Sequence, residues 1–228
     1  MKTHVFGLLF SVLLFLLSVS IATAQMPARA KMSFGILGGL NLQNLNGKDY
    51  LGDKLENDII PAFHAGINLQ IPVTQEFYFQ PGLLFSVKGA KHTEGPVTNT
   101  TRISYVELPL NLVYKGRLGS GYILLGFGPY VGYGVGGKVT SEGGSADVVR
   151  DIEFKNVVEL TDSQTTPYFK RLDAGGNIFF GYEMASGMFY HVNAQLGMIE
   201  INPEYKILPN DKSAVKNTGF GLSLGYRF

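Results

Sequence analysis

The chain has 228 residues, 45% hydrophobic, 16% charged and 12% aromatic, with 29 glycines, no cysteine and no tryptophan. Its formal net charge is +1. That balance excludes an intrinsically disordered chain, a disulfide scaffold, a cysteine-ligated metal protein and a nucleic-acid binder that works by neutralising phosphates. A mean hydropathy of +0.11 is too low for a bundle of membrane helices.

Lys2 precedes an apolar run from Val5 to Ile21, followed by Ala22-Thr23-Ala24 and Gln25. A positive start, an apolar middle and an A-x-A site predict a secretory signal peptide over 1–24, cleaved after Ala24. The mature chain would be a single domain over 25–228. Every later apolar stretch is interrupted within a few residues by Gly, Pro, Asn or a charge. A membrane-inserted mature chain must therefore be a closed β-barrel, which satisfies its own backbone in lipid.

Period-two alternation then recurs along the chain. Ser33–Leu42 sets Phe34, Ile36, Leu40 and Leu42 against Gly35, Gly39 and Asn41. Ala62–Ile71 sets Phe63, Ala65, Ile67 and Leu69 against His64, Gly66, Asn68 and Gln70. Glu76–Val87 sets Phe77, Phe79, Leu83 and Phe85 against Tyr78, Gln80, Gly82 and Ser86. Ile103–Tyr114 sets Val106, Leu108, Leu110 and Leu112 against Tyr105, Glu107, Pro109 and Asn111. The pattern repeats in Tyr122–Val135, Leu172–Glu183, Phe189–Ile199 and Thr218–Phe228. Eight such segments, each about ten residues long, match the length needed to cross a bilayer at a tilt.

The second face is small and amide-rich, which suits a crowded polar lumen better than a water-facing sheet. Connections alternate as well. Ile71–Gln75, Lys115–Gly121 and Met184–Gly187 read as tight turns; Gln43–Pro61, Lys88–Arg102, Gly136–Arg171 and Glu200–Asn217 read as long polar loops. Aromatic residues cluster near the short turns and termini: Phe34, Phe77, Phe79, Tyr114, Tyr182, Tyr190, Tyr226 and Phe228. The prediction is an all-β, eight-stranded antiparallel up-and-down transmembrane β-barrel with both mature termini periplasmic. Pro81, Pro109 and Pro129 fall inside strands, where a bulge or a broken ladder is expected.

Four stretches carry a family resemblance: Phe79-Gln80-Pro81-Gly82-Leu83-Leu84, Tyr105-Val106-Glu107-Leu108-Pro109-Leu110, Gly126-Phe127-Gly128-Pro129-Tyr130 and Leu222-Ser223-Leu224-Gly225-Tyr226-Arg227-Phe228. The chain resembles the small outer-membrane β-barrels of Bacteroidota called PorT-like, within the OmpA-transmembrane-like group. The resemblance spans essentially the whole mature chain. It implies a location in the Gram-negative outer membrane and an assembly signal at Tyr226 and Phe228 that the barrel-insertion machinery reads. One member's association with secretion implies at most an accessory role of that kind.

Motifs for chemistry are weak. Gly132 to Lys138 fits the G-x-x-x-x-G-K core of a phosphate loop, but Val139 stands where Ser or Thr should hold magnesium, and no helix start follows. His64, His92 and His191 have no metal-ligand spacing. No cofactor is expected. Glu107, Asp173, Glu183 and Arg227 have inward parity, and buried charges need partners. Arg227 and Glu183 lie near one end and are expected to pair. Glu107 should draw on His64, Asn68, Gln80 or Tyr105. These residues form a predicted polar network plugging the lumen.

The expected function is non-catalytic: an outer-membrane barrel that binds with its long loops or assists envelope assembly or secretion. The alternatives are a small-solute porin and, further off, an outer-membrane enzyme. Expected partners are outer-membrane lipid, the insertion machinery and an envelope protein at loop 136–171, whose Val148, Val149, Ile152, Phe154, Val157, Val158 and Leu160 are too apolar for a bare loop.

Overall fold

The structure is a computed structural model that describes residues 31–208 and 210–228. The predicted leader over 1–24 lies outside the described residues. Thirteen strands follow in order: β1 Ser33–Lys48, β2 Ile60–Pro72, β3 Phe77–Glu94, β4 Val97–Leu118, β5 Gly121–Glu142, β6 Val148–Asp151, β7 Glu153–Phe154, β8 Val157–Val158, β9 Tyr168–Phe169, β10 Leu172–Glu183, β11 Met188–Gly197, β12 Glu204–Tyr205 and β13 Ala214–Arg227.

Eight of them close a ring. The order runs β1-β2-β3-β4-β5-β10-β11-β13, each neighbour antiparallel, and β13 returns to β1. Each strand pairs on both sides through the region that must face lipid, so no edge is left in hydrocarbon. All eight segments read from alternation are present, in the expected order.

Alternation in sequence becomes inside and outside. On β2, Phe63, Ile67 and Leu69 face out, while His64, Asn68 and Gln70 are buried in the lumen. On β13, Phe220, Leu222, Leu224 and Tyr226 face out against Ser223 and Arg227. The aromatic residues meet across strands at the short-turn end. Phe77 lies opposite Tyr114 and Tyr182 opposite Tyr190. Their ring centroids are 5.4 and 6.2 Å apart. Phe34 packs at 6.3 Å from Phe228. Amphipathic and aromatic rings favour this interfacial position.

The lumen is narrowed by bulk on some strands and by glycine on others. A Cβ on Gly126 would lie 2.2 Å from the Phe179 ring, and one on Gly225 2.3 Å from Phe189. Phe179 and Phe189 join Val113 and Leu124 in an apolar layer inside the barrel. The lumen is therefore not polar throughout, because aromatic residues with inward parity fill the space that those glycines leave.

The three internal prolines interrupt the ladder without shifting its register. The β2–β3 pairing skips Leu69 to Gln70, and the β3–β4 pairing skips Gly82 to Leu83. The β4–β5 pairing skips Leu110 to Asn111. The one irregularity of register on these strands lies elsewhere. Ser104 faces Gly136 and Tyr105 faces Gly134, which leaves Val135 as the extra residue.

One expected loop is absent. Residues 88–102 are the continuation of β3 and β4, joined by a two-residue turn at Gly95-Pro96 with Gly95 at φ 58°. Lys88, Lys91, His92 and Arg102 gave the stretch a polar look, but such residues suit strands that have left lipid. β4 and β5 have 22 residues each, about twice a bilayer crossing. Their upper halves and the end of β3 form a sheet beyond the apolar belt. β6 joins it, pairing with Lys138–Ser141 of β5, above the Tyr122–Tyr133 stretch that pairs with β10.

The long segment after β6 covers the barrel mouth. β7 pairs with β9, and β8 with β12 of the β11–β13 connection. Ile152 and Ile201 are buried against Leu45, Ala90, Ile103 and Tyr105. Val158 is buried too, whereas Val149 and Leu160 stay exposed. The apolar content of this segment thus serves mainly as a cap.

Candidate functional site in the lumen

The inward-facing charges gather in two clusters. Nearer the long-loop end, Lys88 Nζ lies 2.6 Å from Glu107 Oε1 and 2.9 Å from Asp173 Oδ2. All three side chains are essentially inaccessible. Lys88 comes from β3, Glu107 from β4 and Asp173 from β10. Gly132 of β5 faces both Glu107 and Asp173 in register.

Two carboxylates around one ammonium leave a formal charge of −1, and neutral donors surround it. Asp173 Oδ2 accepts from Asn217 Nδ2 at 2.9 Å and from the Tyr130 hydroxyl at 3.2 Å. Glu107 Oε2 accepts from Gln195 Nε2 at 3.1 Å. The ammonium also sits 4.1 Å from the Tyr130 ring centroid and 5.6 Å from that of Tyr105, a favourable position for a desolvated cation.

The second cluster lies at the short-turn end. Arg227 Nε donates to Glu183 Oε2 at 3.0 Å, and Lys115 Nζ donates to Glu183 Oε1 at 2.6 Å. Arg227 Nη1 also donates to Asn68 Oδ1 at 3.0 Å. Gln80 Oε1 accepts from Gln70 Nε2 at 3.0 Å, and Arg227 Nη2 lies 3.5 Å from it. The Arg227 guanidinium covers the Phe189 ring at 5.0 Å. Here two cations share one carboxylate, for a formal charge of +1.

Between the clusters lies a small chamber that Glu107 borders and that amide, hydroxyl and imidazole side chains otherwise line. His64 Nδ1 meets Asn41 Oδ1 and its Nε2 meets Ser223 Oγ, both at 2.8 Å. Asn193 Nδ2 donates to the same Ser223 Oγ at 3.2 Å. Asn111, Asn177 and His191 also line it, with Phe179 and Leu84 among its apolar walls. Its volume is ≈ 70 Å³, far below the ~300 Å³ at which small-molecule pockets begin.

All seven lumen residues named from sequence are buried inside: His64, Asn68, Gln80, Glu107, Asp173, Glu183 and Arg227. The expected Arg227–Glu183 pair forms. The expected partners of Glu107 do not bond it: Asn68 and Gln80 turn to Arg227, His64 to Asn41 and Ser223, and Tyr105 lies near Asn217 at 3.5 Å. Glu107 instead holds Lys88, which sequence reading assigned to a loop. Lys115, assigned to a turn, is the third member of the other cluster. Inward parity, carried one step beyond the apolar alternation, marks both lysines. His191 differs from His64: it stacks at 6.0 Å on Phe189, and its Nδ1 has no partner among the described residues.

Tyr226 and Phe228 stand outside, with ring centroids 4.9 Å apart. The Phe228 amide donates to the Phe34 carbonyl at 2.8 Å, so the last residue is tied into the closing seam.

A ring of eight antiparallel strands with an apolar exterior and a charge-paired interior defines a transmembrane β-barrel with a filled lumen. The chain belongs to the outer membrane protein beta-barrel domain family, which it matches over residues 11–228. It is an outer-membrane barrel. No curated protein matches it. Among solved structures it is similar to Ail, the attachment invasion locus protein of Yersinia pestis, at 11% identity and a TM-score of 0.41, covering 87% of this chain and 100% of that one. Ail in complex with the heparin analogue sucrose octasulfate matches at 12% identity and a TM-score of 0.42, covering 87% and 100%. OprG from Pseudomonas aeruginosa matches at 13% identity and a TM-score of 0.42, covering 86% and 95%.

Proposed function

We propose that this protein is a sealed, non-catalytic barrel of the PorT-like kind, working as a binding or accessory component of envelope assembly or secretion. The observation that carries the reading is the closure of the lumen at three levels: the Arg227–Glu183–Lys115 cluster, the Lys88–Glu107–Asp173 cluster and the cap built on Ile152 and Ile201. A pore for solutes needs a continuous aqueous path, and these side chains occupy it. The folded surface available for recognition is then the sheet and loops beyond the apolar belt.

In this reading the leader is removed after Ala24 and residues 25–228 form the mature domain. The short turns and both termini face the periplasm, and the long-loop end faces outward. Outer-membrane lipid contacts the apolar belt. The insertion machinery reads Tyr226 and Phe228, and an envelope protein meets the 136–171 region.

Single-channel recording of the purified barrel in planar bilayers tests the reading. A silent bilayer is the expected result. Regular conductance steps would overturn it in favour of the small-solute porin.

A further inference from the structure

The sheet beyond the apolar belt has two edges, and they are treated differently. At the β3 edge, the Lys91 amide donates to the Asp58 carbonyl at 3.0 Å, and the Asp58 amide donates back to the Lys91 carbonyl at 2.7 Å. A stretch of the β1–β2 connection thus caps that edge. At the opposite edge, β6 pairs with β5 alone.

The hydrogen-bond phase of β6 follows from its neighbour. The Ile152 amide donates to the Gly137 carbonyl at 2.9 Å, in the same register as the β5–β6 pairs. Directly opposed antiparallel residues alternate between bonded and non-bonded pairs. Counting back, Arg150 with Val139 and Val148 with Ser141 are bonded pairs. Val149 and Asp151 therefore turn their N–H and C=O groups to the other side, where no backbone group of the described residues meets them.

All four residues of β6 are exposed, with Val149 at 61%. The strand is short and carries two charges, Arg150 and Asp151, which partly blunt the edge, but no proline, bulge or paired strand closes it.

We propose that the free edge of β6 is a docking site for an extended polypeptide segment of a partner protein, added as an antiparallel strand. The inference rests on the reading of this protein as a sealed barrel that binds with its long-loop end. The chemistry of the added strand is legible on the other side of β6. There Lys138 stands opposite Asp151 and Thr140 opposite Val149. The matching segment carries a cation facing Asp151 and a β-branched residue facing Val149, with main-chain bonds to the Val149 and Asp151 amides and carbonyls.

The test uses the full-length protein in lipid nanodiscs and a labelled, end-blocked peptide of the sequence Gly-Lys-Val-Thr-Ser-Glu, the stretch Gly137–Glu142 that pairs with β6 from within. Anisotropy should report binding, and amide hydrogen exchange should slow at Val149 and Asp151. Val149→Pro removes an edge N–H while leaving the bonds to β5 in place, since proline is accepted where the N–H faces outward. It should weaken binding by about tenfold, the effect of one lost hydrogen bond. Val149→Lys, a blunting substitution that keeps the backbone, should weaken binding as well. No anisotropy change at millimolar peptide, or binding that both variants leave intact, overturns the proposal. Conductance is a separate measurement, so a failed strand site and a failed sealed-lumen reading remain distinguishable.

Discussion

Lys88 and Asp173 meet at 2.9 Å across the inside of the barrel, although 85 residues separate them in the chain. With Glu107 they make a buried ion triad whose members come from β3, β4 and β10. Each member is stabilised only by the others and by the neutral donors around them.

Glu107→Leu should therefore lower stability. It strips Lys88 of its closest carboxylate, 2.6 Å away, and leaves Gln195 without its acceptor. Lys88 keeps Asp173, so the cost is that of the unsatisfied groups, about 1–3 kcal/mol each. The midpoint of urea unfolding in detergent or lipid should fall. A rise would mean that Glu107 faces lipid and that the inner and outer faces of β4 are exchanged.

A second expectation concerns the glycines that admit the inner aromatic rings. Gly126→Ala would place a methyl 2.2 Å from the Phe179 ring, so the ring must move. Overpacking of this kind costs roughly 1–3 kcal/mol. Combining Gly126→Ala with Phe179→Leu should recover part of the loss, giving a non-additive double-mutant cycle. Additive effects would show that the two positions do not touch.

Deleting Phe228 should reduce the amount of folded barrel in the outer membrane. The deletion removes the amide bonded to the Phe34 carbonyl and the ring packed on Tyr226 and Phe34. Quantitative blotting of heat-modifiable protein is the readout. Wild-type levels would show that the terminal aromatic is dispensable for assembly.

The membrane-distal segment should loosen in acid. Asp162 accepts from Lys155 Nζ and from the Glu159 amide. The Lys155 bond comes first and the Glu159 amide second in holding its carboxyl below the ordinary carboxylate range. A depressed carboxyl pKa contributes order that is present above its unfolded value and lost as pH falls through the folded one. Protease cleavage within 155–167 should accordingly rise below the usual carboxylate range. Asp162→Asn should bring that sensitivity to neutral pH; unchanged cleavage in the variant would refute the contact's role.

The parts of this structure that touch lipid are the parts that alternation reveals. Phe63, Ile67 and Leu69 must be apolar because lipid surrounds them, and His64 and Asn68 between them are free to be polar. Arg227 and Glu183 could be matched because both have inward parity at one end. Lys88 escaped because the rule that exposes strands in lipid lapses where they leave it. Past Phe85 the stretch Ser86-Val87-Lys88-Gly89-Ala90 is buried throughout, so no contrast between faces remains to be read. The caps at Ile152 and Ile201 depend on contacts between remote connections, to which a period-two pattern is blind.

Closure of the barrel also decides which polar groups are satisfied. Arg227 is the penultimate residue, yet it supplies both the Glu183 bond and the Asn68 bond at the short-turn end. Until β13 has zipped against β1 and β11, Glu183 and Lys115 have only each other, and Asn68 lacks its cation. An unclosed intermediate must keep these groups hydrated, because stranding them in hydrocarbon is costly. The charge cluster at the short-turn end is therefore complete only in the closed ring, with β13 paired to both β1 and β11.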